Sequence, residues 1–352
     1  MDYDVAIIGA GPAGATLARL SSGGGARVVL VDGQKESSRK PCGGLLAPDA
    51  QKTLANFDLT LPKSVLVDPQ IFSVKTIDIR TGDIRYYPRH YLNMDRYAFD
   101  RWLLSLVPES VEVISGRFIG AEAQNGGFSI CVNTENGQRI INAERIIGAD
   151  GAGSAVRRRF FDSQIKHYVA IQQWFVSRGE NPFYSCIFDP ETSESCSWSI
   201  HKDGFFIFGG CFNPAGGRAA FEKQKLRLAE KCGFEFGEPV KTEACLALSP
   251  RHMGDFFLAR DGVYLIGEAA GFISPSSFEG ISGAILSASA LASAIEAGGG
   301  DDEIARRYKR LTLGLRLKLR LKVVKRWFMY TPIVRKIIMR IGLQSIDPML
   351  RK

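Results

Sequence analysis

The sequence predicts an α/β fold, and three of its features lead to that prediction. Short apolar runs that end at glycine-containing turns recur within residues 4–14, 145–151 and 262–271, as expected for buried strands of a parallel sheet. Between these runs, alternating apolar and polar residues broken by Asn, Asp and Gly indicate antiparallel strands. Beyond residue 304 the chain is rich in Leu, Lys and Arg, which favour helices.

The composition is that of a globular protein and excludes several classes. Of 352 residues, 45% are hydrophobic and 23% charged, which rules out a disordered or fibrous chain. Seven cysteines include no Cys-x-x-Cys pair and the four histidines are scattered, so we expect no metal site and no disulfide framework. No apolar run is long enough to span a membrane, and Asp2 and Asp4 stand where a signal peptide is basic. The predicted location is the cytoplasm.

The first 32 residues have the pattern of a βαβ unit. An apolar run at 4–8 is followed by the spacing Gly-x-Gly-x-x-Gly at 9–14. A helix is predicted over 15–20, and a second apolar run at 26–32 ends at an acid. Strand, turn, helix, strand and terminal acid in this order indicate a Rossmann-like dinucleotide site.

Each glycine of this turn has a physical role. Gly9 permits the tight turn, Gly11 lets a pyrophosphate approach the backbone, and Gly14 lets helix and strand pack closely. The helix N-terminus offers N–H groups to the phosphates, and Asp32 can accept hydrogen bonds from a ribose. A glycine-rich turn used only for packing would leave Asp32 unexplained. The turn residues predicted to contact the dinucleotide are Gly9, Gly11, Pro12, Ala13 and Gly14.

The rest of the chain alternates strands and helices, without an internal repeat. The predicted elements are a hairpin over 70–79 and 84–87, a helix over 96–106, a buried strand ending near 148, a strand-rich region over 167–212, a strand over 262–266 and a helix over 280–297.

Three glycine-and-acid sites in this order resemble the flavoproteins of the p-hydroxybenzoate hydroxylase fold, and among them the geranylgeranyl reductase family. The second site is Gly148–Ser154 and the third is Gly267–Gly271. The block Lys40–Leu46, Lys-Pro-Cys-Gly-Gly-Leu-Leu, is similar to one in prenyl reductases. The amino-acid sequences of Tyr168–Trp174 and of the third site are similar to those of CbrA-type bacterial members.

The resemblance implies FAD as the cofactor and assigns residues to its parts. The first site would bind the ADP half, Asp150 and Gly151 the middle, and Gly267 and Glu268 the ribityl chain and pyrophosphate. Arg96 resembles the arginine that reaches the cofactor phosphates. At the start of a helix, Gly280 and Ile281 would donate N–H groups to the flavin ring, although a glycine there also suits a plain helix start.

Two further residues have a functional and a structural interpretation. The resemblance implies that Cys42 and Gly43 lie near the flavin, where Cys42 would assist proton delivery. Cys42 also suits a small residue packed beside the cofactor. Trp198 would line the substrate pocket, and it equally suits a core aromatic on a sheet.

The predicted organisation has discontinuous parts. They are FAD-binding segments at 1–70, 93–163 and 257–303, a substrate-domain hairpin at 71–92, a substrate-binding sheet at 164–256 and a basic helical arm at 304–352.

The net positive charge of the protein comes from this C-terminal arm, residues 304–352. It holds 15 Lys and Arg against one acid, whereas the remainder holds 30 bases and 36 acids. Apolar residues between the charges suit a helix pair on an anionic membrane surface, which would place the protein on the inner face of the cell membrane. The alternatives are packing on the acidic body and nucleic-acid binding, and no nucleic-acid recognition motif accompanies the charge.

Three hypotheses for function follow. The first is an FAD-dependent oxidoreductase that reduces carbon–carbon double bonds of a hydrophobic, isoprenoid-type small molecule. No second dinucleotide fingerprint is present, so NAD(P)H would bind only transiently as electron donor. The second is a flavin monooxygenase that hydroxylates an aromatic or lipophilic molecule, since the fold does not choose between these chemistries. The third is a membrane-associated flavin-binding protein without enzymatic activity.

Overall fold

A computed structural model gives the structure of the chain, and it describes residues 1–34, 40–124, 126–162, 164–177, 181 and 184–346. Its strands, numbered along the chain, are β1 (Tyr3–Ile8), β2 (Val28–Asp32), β3 (Leu45–Leu46), β4 (Ile71–Asp78), β5 (Ile84–Asn93), β6 (Glu112–Ser115), β7 (Arg117–Gln124), β8 (Gly127–Thr134), β9 (Gly137–Gly148), β10 (His167–Val176), β11 (Tyr184–Phe188), β12 (Cys196–Lys202), β13 (Phe205–Phe212), β14 (Lys241–Leu248), β15 (Ala259–Arg260) and β16 (Val263–Leu265).

The helices are numbered in the same way. They are α1 (Pro12–Ser21), α2 (Pro48–Asn56), α3 (Arg96–Ser105), α4 (Ala155–Phe160), α5 (Gly217–Cys232), α6 (Ile281–Glu296), α7 (Asp301–Leu311), α8 (Leu313–Tyr330) and α9 (Pro332–Ile341). The predicted βαβ unit is confirmed as β1, α1 and β2. The hairpin of β4 and β5, the helix α3 and the helix α6 are confirmed as well.

The chain divides into two compact units, each built from three stretches of sequence. The first unit comprises Met1–Arg39, Tyr97–Lys166 and Leu248–Leu321, and the second comprises Lys40–Arg96, His167–Ala247 and Lys322–Lys352. Residues 40–70, predicted as part of an FAD-binding segment, fall in the second unit because β3 pairs with the end of β5. The other predicted segment boundaries stay predictions, since contacts between residues do not show what a segment binds.

The first unit is built around a parallel sheet. Its strand order is β15-β16-β9-β1-β2-β6, and β8 and β7 continue it from β9. β1 lies between β2 and β9, with Ile7 opposite both Leu30 and Ile147, and these side chains are fully buried. Because β1, β9 and β16 run parallel, their carboxyl ends meet at the same edge, which is where ligands bind in open α/β sheets.

The second unit contains a mostly antiparallel sheet with two different faces. Its strand order is β14-β10-β13-β12-β11-β4-β5-β3. One face packs on α5, where Phe208 and Phe212 of the sheet meet the ring of Phe221. Side chains alternate between the two faces along a strand, so Trp198 and its directly opposite neighbour Gly209 share one face of the sheet.

The C-terminal arm forms three helices instead of the predicted pair. α7 begins at Asp301, and Pro332 ends α8 and starts α9, because proline cannot continue a helix but suits its first turn. Tyr308 of α7 is buried in the first unit and donates a hydrogen bond to the Leu265 carbonyl at 2.9 Å. Among the described residues, no helix has the length and apolar content needed to cross a membrane.

Candidate functional site

The turn between β1 and α1 is compact on one side and open on the other. At Gly9, where φ is +108°, a Cβ atom would lie 2.7 Å from the backbone oxygen of Ala149. At Gly14 a Cβ would lie 1.8 Å from the Gly9 oxygen, so no other residue fits. At Gly11, by contrast, a Cβ would meet nothing within 4 Å. The backbone of Gly11 is therefore accessible to a bound molecule, and no side chain caps the start of α1.

The three glycine-and-acid sites lie together within the first unit. Gly9 of the first site lies against Ala149 of the second, because a Cβ on Gly9 would be 2.7 Å from the Ala149 oxygen. A Cβ on Gly267 of the third site would lie 2.9 Å from the Cβ of Ala13 in α1. Arg157 connects the second and third sites, since its guanidinium donates to the carbonyl of Ala152 at 2.6 Å and to that of Ala269 at 2.7 Å.

Arg157 is a buried cation with two acids near it. Burial lowers its pKa, and the opposite charges of Asp150 and Glu268 counteract that shift. Its two hydrogen bonds join the backbone of the second site to that of the third. The residue therefore fixes the spacing between the second and third turns.

Asp150 is turned toward its own chain. Its carboxylate accepts hydrogen bonds from the Ser154 hydroxyl at 2.5 Å and from the amides of Ala155 and Val156 at 2.6 and 3.2 Å. Burial raises the pKa of Asp150, while these hydrogen bonds lower it. The adjacent Gly151 has φ of +73° and open space where a Cβ would be. The side chain thus holds the start of α4, and Gly151 exposes the backbone.

The third turn is held from both sides. The amide of Gly267 donates to the Ser287 hydroxyl of α6 at 2.9 Å. The Glu268 carboxylate accepts a hydrogen bond from the amide of Leu248 at 3.0 Å. At the start of α6, Gly280 is the N-terminal cap without a side-chain hydrogen bond, and Ile281 is the first helical residue.

Asp32, at the end of β2, is bound by an arginine that sequence reasoning missed. Arg101 of α3 donates from Nη1 to one carboxylate oxygen at 2.6 Å, and the amide of Gln34 donates to the other at 3.0 Å. A carboxylate has about four lone-pair sites, so Asp32 retains capacity for a ribose hydroxyl. Arg101 fixes the direction of that carboxylate.

In the second unit, the predicted loop residue Cys42 has two donors directed at its sulfur. The Gly44 amide lies 3.4 Å from Sγ, and the Arg96 guanidinium lies 3.9 Å from it. Lys202, at the end of β12, holds the same loop by donating to the carbonyls of Met94 at 2.6 Å and Gly44 at 3.3 Å. Burial lowers the pKa of Lys202 to about 8.

Trp198 lies beneath this loop on one face of the sheet. A Cβ on Gly43 would lie 3.6 Å from Trp198 Nε1 and 2.8 Å from a methyl of Ile200, which explains the glycine. Gly209 stands between Trp198 and Gln172 on adjacent strands. The indole N–H of Trp198 and the side-chain oxygen of Gln172 are buried, and neither has a hydrogen-bond partner among the described residues. Such atoms usually receive a partner from water or a ligand.

The predicted site residues thus fall into two groups. In the first unit the structure brings together the turn residues and both later glycine-and-acid sites. In the second unit it brings together Cys42, Gly43, Arg96 and Trp198. Within the part of the chain that the structure describes, no three His, Cys, Asp or Glu side chains are arranged as metal ligands.

The sequence resembles those of known proteins over almost its whole length. A family model described as "Lycopene cyclase protein" matches residues 4–183. Protein CbrA of Escherichia coli O6:H1 is 46% identical over 98% of this chain and 94% of its own length, and protein CbrA of Shigella sonnei is 46% identical over 98% of both chains. The chain belongs to the CbrA family. CbrA relatives thus cover almost the whole sequence, and the predicted resemblance to CbrA-type members is confirmed.

Solved structures support the fold. A geranylgeranyl bacteriochlorophyll reductase-like protein from Thermoplasma acidophilum aligns over 96% of this chain and 98% of its own, with a TM-score of 0.72 at 16% identity. A p-nitrophenol 4-monooxygenase from Pseudomonas putida aligns over 96% and 92%, with a TM-score of 0.71 at 16% identity. The predicted fold class, an α/β flavoprotein fold of the p-hydroxybenzoate hydroxylase type with C-terminal helices, is confirmed. At these identities the likeness concerns the fold alone.

Proposed function

We propose that this CbrA family member is an FAD-dependent oxidoreductase that reduces carbon–carbon double bonds of a hydrophobic, isoprenoid-type substrate. The observation that carries the FAD assignment is the meeting of three turns in the first unit, with open backbone at Gly11 and Gly151. A glycine needed only for packing would contact protein atoms, as Gly9 and Gly14 do. Other glycines such as Gly120 are equally open, but Gly11 and Gly151 are open where the three turns meet, which fits a ligand that lies against the backbone.

The first unit offers a partner for each polar part of FAD. The amides at the start of α1 suit the pyrophosphate, and the oriented carboxylate of Asp32 suits the adenosine ribose. Gly151 and Gly267 are the candidates for the middle of the molecule, and the uncapped start of α6 at Gly280 and Ile281 for the flavin ring. When bound, FAD supplies the transfer of hydride that no amino-acid side chain provides.

The second unit offers a proton donor. Reduction of a double bond consumes one hydride and one proton, and we assign the proton to the Cys42 thiol. The Gly44 amide and the Arg96 guanidinium are directed at its sulfur and orient the thiol. Lys202 acts as a positioning residue, because its two carbonyl bonds hold the loop that carries Cys42.

The substrate assignment rests on Trp198. Trp198 provides a large apolar surface with one unpaired N–H donor, which suits a mostly hydrophobic molecule with a single polar group. The Thermoplasma acidophilum protein of similar fold is described as geranylgeranyl bacteriochlorophyll reductase-like, and a geranylgeranyl group is an isoprenoid. We propose NADH or NADPH as a donor that binds transiently.

A pair of glycine variants tests the FAD assignment. A Cβ would meet no protein atom within 4 Å at either Gly11 or Gly120 of β7, and neither has positive φ. We expect the purified wild type and Gly120→Val to carry FAD, measured by visible absorption and by identification of the released flavin. Gly11→Val should lose FAD while keeping its circular dichroism spectrum. A colourless wild type that remains colourless after incubation with FAD would refute the proposal.

A second experiment distinguishes reduction from hydroxylation. The FAD-loaded protein is reduced with dithionite without oxygen and mixed with a polyprenyl alcohol. A product two hydrogen atoms heavier supports the reductase. The alternative is a flavin monooxygenase, which the likeness to the p-nitrophenol monooxygenase fold keeps in view. A product formed only with oxygen, and heavier by one oxygen atom, would support that alternative. Flavin that neither NADH nor NADPH reduces, together with no turnover under either condition, would support a non-enzymatic flavin protein.

A further inference from the structure

The outer faces of α8 and α9 are apolar and exposed. Within the second unit, the exposed apolar residues of α8 are Val324, Trp327 and Phe328. On α9 they are Ile333, Ile337 and Ile341. Spacings of three and four residues place each set along one side of its helix. We call these two sets the α8 stripe and the α9 stripe.

These stripes are not the result of loosely attached helices. The opposite side of α9 is anchored in the second unit, where Arg335 is 5% exposed and pairs with the fully buried Asp78 at 2.7 Å. On α8, Arg326 donates to the Tyr168 hydroxyl at 2.9 Å. Two buried arginines therefore face inward, while isoleucines that are up to 73% exposed face outward. This inverts the usual distribution of charged and apolar residues.

The segment that carries the stripes is strongly basic, and two of its basic residues pair with acids from earlier in the chain, Lys322 with Asp49 and Arg340 with Asp83. From residue 304 to 346 the chain contains 13 Lys and Arg and no acid. Lys325 on α8 and Arg340 on α9 are exposed beside the stripes. Long basic side chains of this kind can extend to anionic headgroups while their stems cover apolar surface.

We infer that the α8 and α9 stripes dock on the surface of an anionic lipid bilayer. An interfacial helix requires an apolar face that enters the headgroup region and basic residues that pair with anionic lipids, and both are present here. A second copy of this chain would bring two cationic surfaces together, which electrostatic repulsion opposes. Nucleic acid would match the charge but leave the isoleucines exposed.

This inference does not depend on the proposed function, since it concerns a surface and not the redox site. It has a functional consequence, because a protein held at a bilayer can reach molecules that partition into lipid. The sequence left membrane contact and packing on the protein as alternatives, whereas in the structure the arm packs on the protein with one face and exposes another.

The test uses point substitutions, because deleting residues 304–352 would remove Ile304, Tyr308 and Leu319 from the first-unit core. The α9 variant carries glutamine at the three stripe positions Ile333, Ile337 and Ile341. The control variant carries glutamine at Ile119, Ile140 and Leu226, which are exposed to a similar extent elsewhere. All proteins are sedimented with vesicles of phosphatidylglycerol and phosphatidylcholine, or of phosphatidylcholine alone, at low and high salt.

We expect the wild type and the control variant to bind the anionic vesicles, and to bind less at high salt or without phosphatidylglycerol. The α9 variant should bind at least about tenfold more weakly, since it lacks the three exposed isoleucines that enter the interface. A wild type that does not sediment with anionic vesicles, or an α9 variant that binds as well as the control, would overturn the inference. Light scattering that shows a wild-type dimer and an α9-variant monomer, without vesicle binding, would assign the surface to a second copy instead.

Discussion

Replacing Lys202 by methionine should change how the stability of the protein depends on pH. Lys202 is 4% exposed, and its ammonium group donates to two backbone carbonyls. Burial lowers its pKa from the usual 10.5 to about 8, because the interior solvates a charge less well than water. Asp95 and Asp203 act in the opposite direction, and their negative charge does not outweigh burial.

The sign and size of the effect follow from proton binding. Between pH 8 and 10.5 the folded protein releases the Lys202 proton while the unfolded chain retains it. The unfolded state then binds more protons, so this residue makes the free energy of unfolding increase with pH. At about 1.4 kcal/mol for each tenfold change in proton affinity, the difference between 10.5 and 8 corresponds to about 3 kcal/mol.

Urea denaturation of wild type and Lys202→Met at pH 7, 8, 9 and 10 measures this contribution. Other titrating groups are common to both proteins, so the difference between their unfolding free energies isolates Lys202. We expect wild type minus variant to rise with pH toward about 3 kcal/mol above its neutral value. Lys202→Arg keeps a cation throughout this range, so its own unfolding free energy should lack the Lys202-dependent increase with pH, as in Lys202→Met. A difference that is constant or falls with pH would refute the reasoning.

Three further substitutions test other parts of the structure. Gly14→Ala should unfold the first unit at a markedly lower temperature and abolish flavin binding, since its Cβ would lie 1.8 Å from the Gly9 oxygen; unchanged thermal denaturation would contradict this close packing. Arg335→Met leaves Asp78 buried without its cation and should cost about 3–5 kcal/mol in urea denaturation at neutral pH, with much of the loss recovered when Asp78→Leu is added. Trp198→Phe should retain FAD but bind substrate up to about tenfold more weakly if its buried N–H contacts a polar group, and an unchanged KM would exclude that contact.

Local patterns in the sequence predicted the parts of the fold that depend on neighbouring residues. The first βαβ unit follows from an apolar run, a glycine turn and a second apolar run within 32 residues. The open space at Gly11 agrees with the role that the glycine spacing predicts. Such features depend on sterics within a few residues, and therefore one sequence is sufficient to find them.

The residues that escaped prediction act over long distances along the chain. Arg157 binds a carbonyl 112 residues away, and Lys202 binds one 108 residues away. Arg157 is one of three consecutive arginines, and nothing in the sequence shows which of them is buried. The arm was predicted as a helix pair, whereas its described residues form three helices, with a break before Pro332 at the start of α9.

The division of each unit into three separated stretches has a consequence for synthesis on the ribosome. β1 and β2 emerge early, but β9 ends at Gly148 and β16 only at Leu265. At roughly 5–20 residues per second, translation of the chain takes about 20–70 s. During most of that time a nascent chain presents unpaired strand edges, and Asp78 awaits Arg335, which follows 257 residues later. A chain truncated before Arg335 should therefore be insoluble and protease-sensitive.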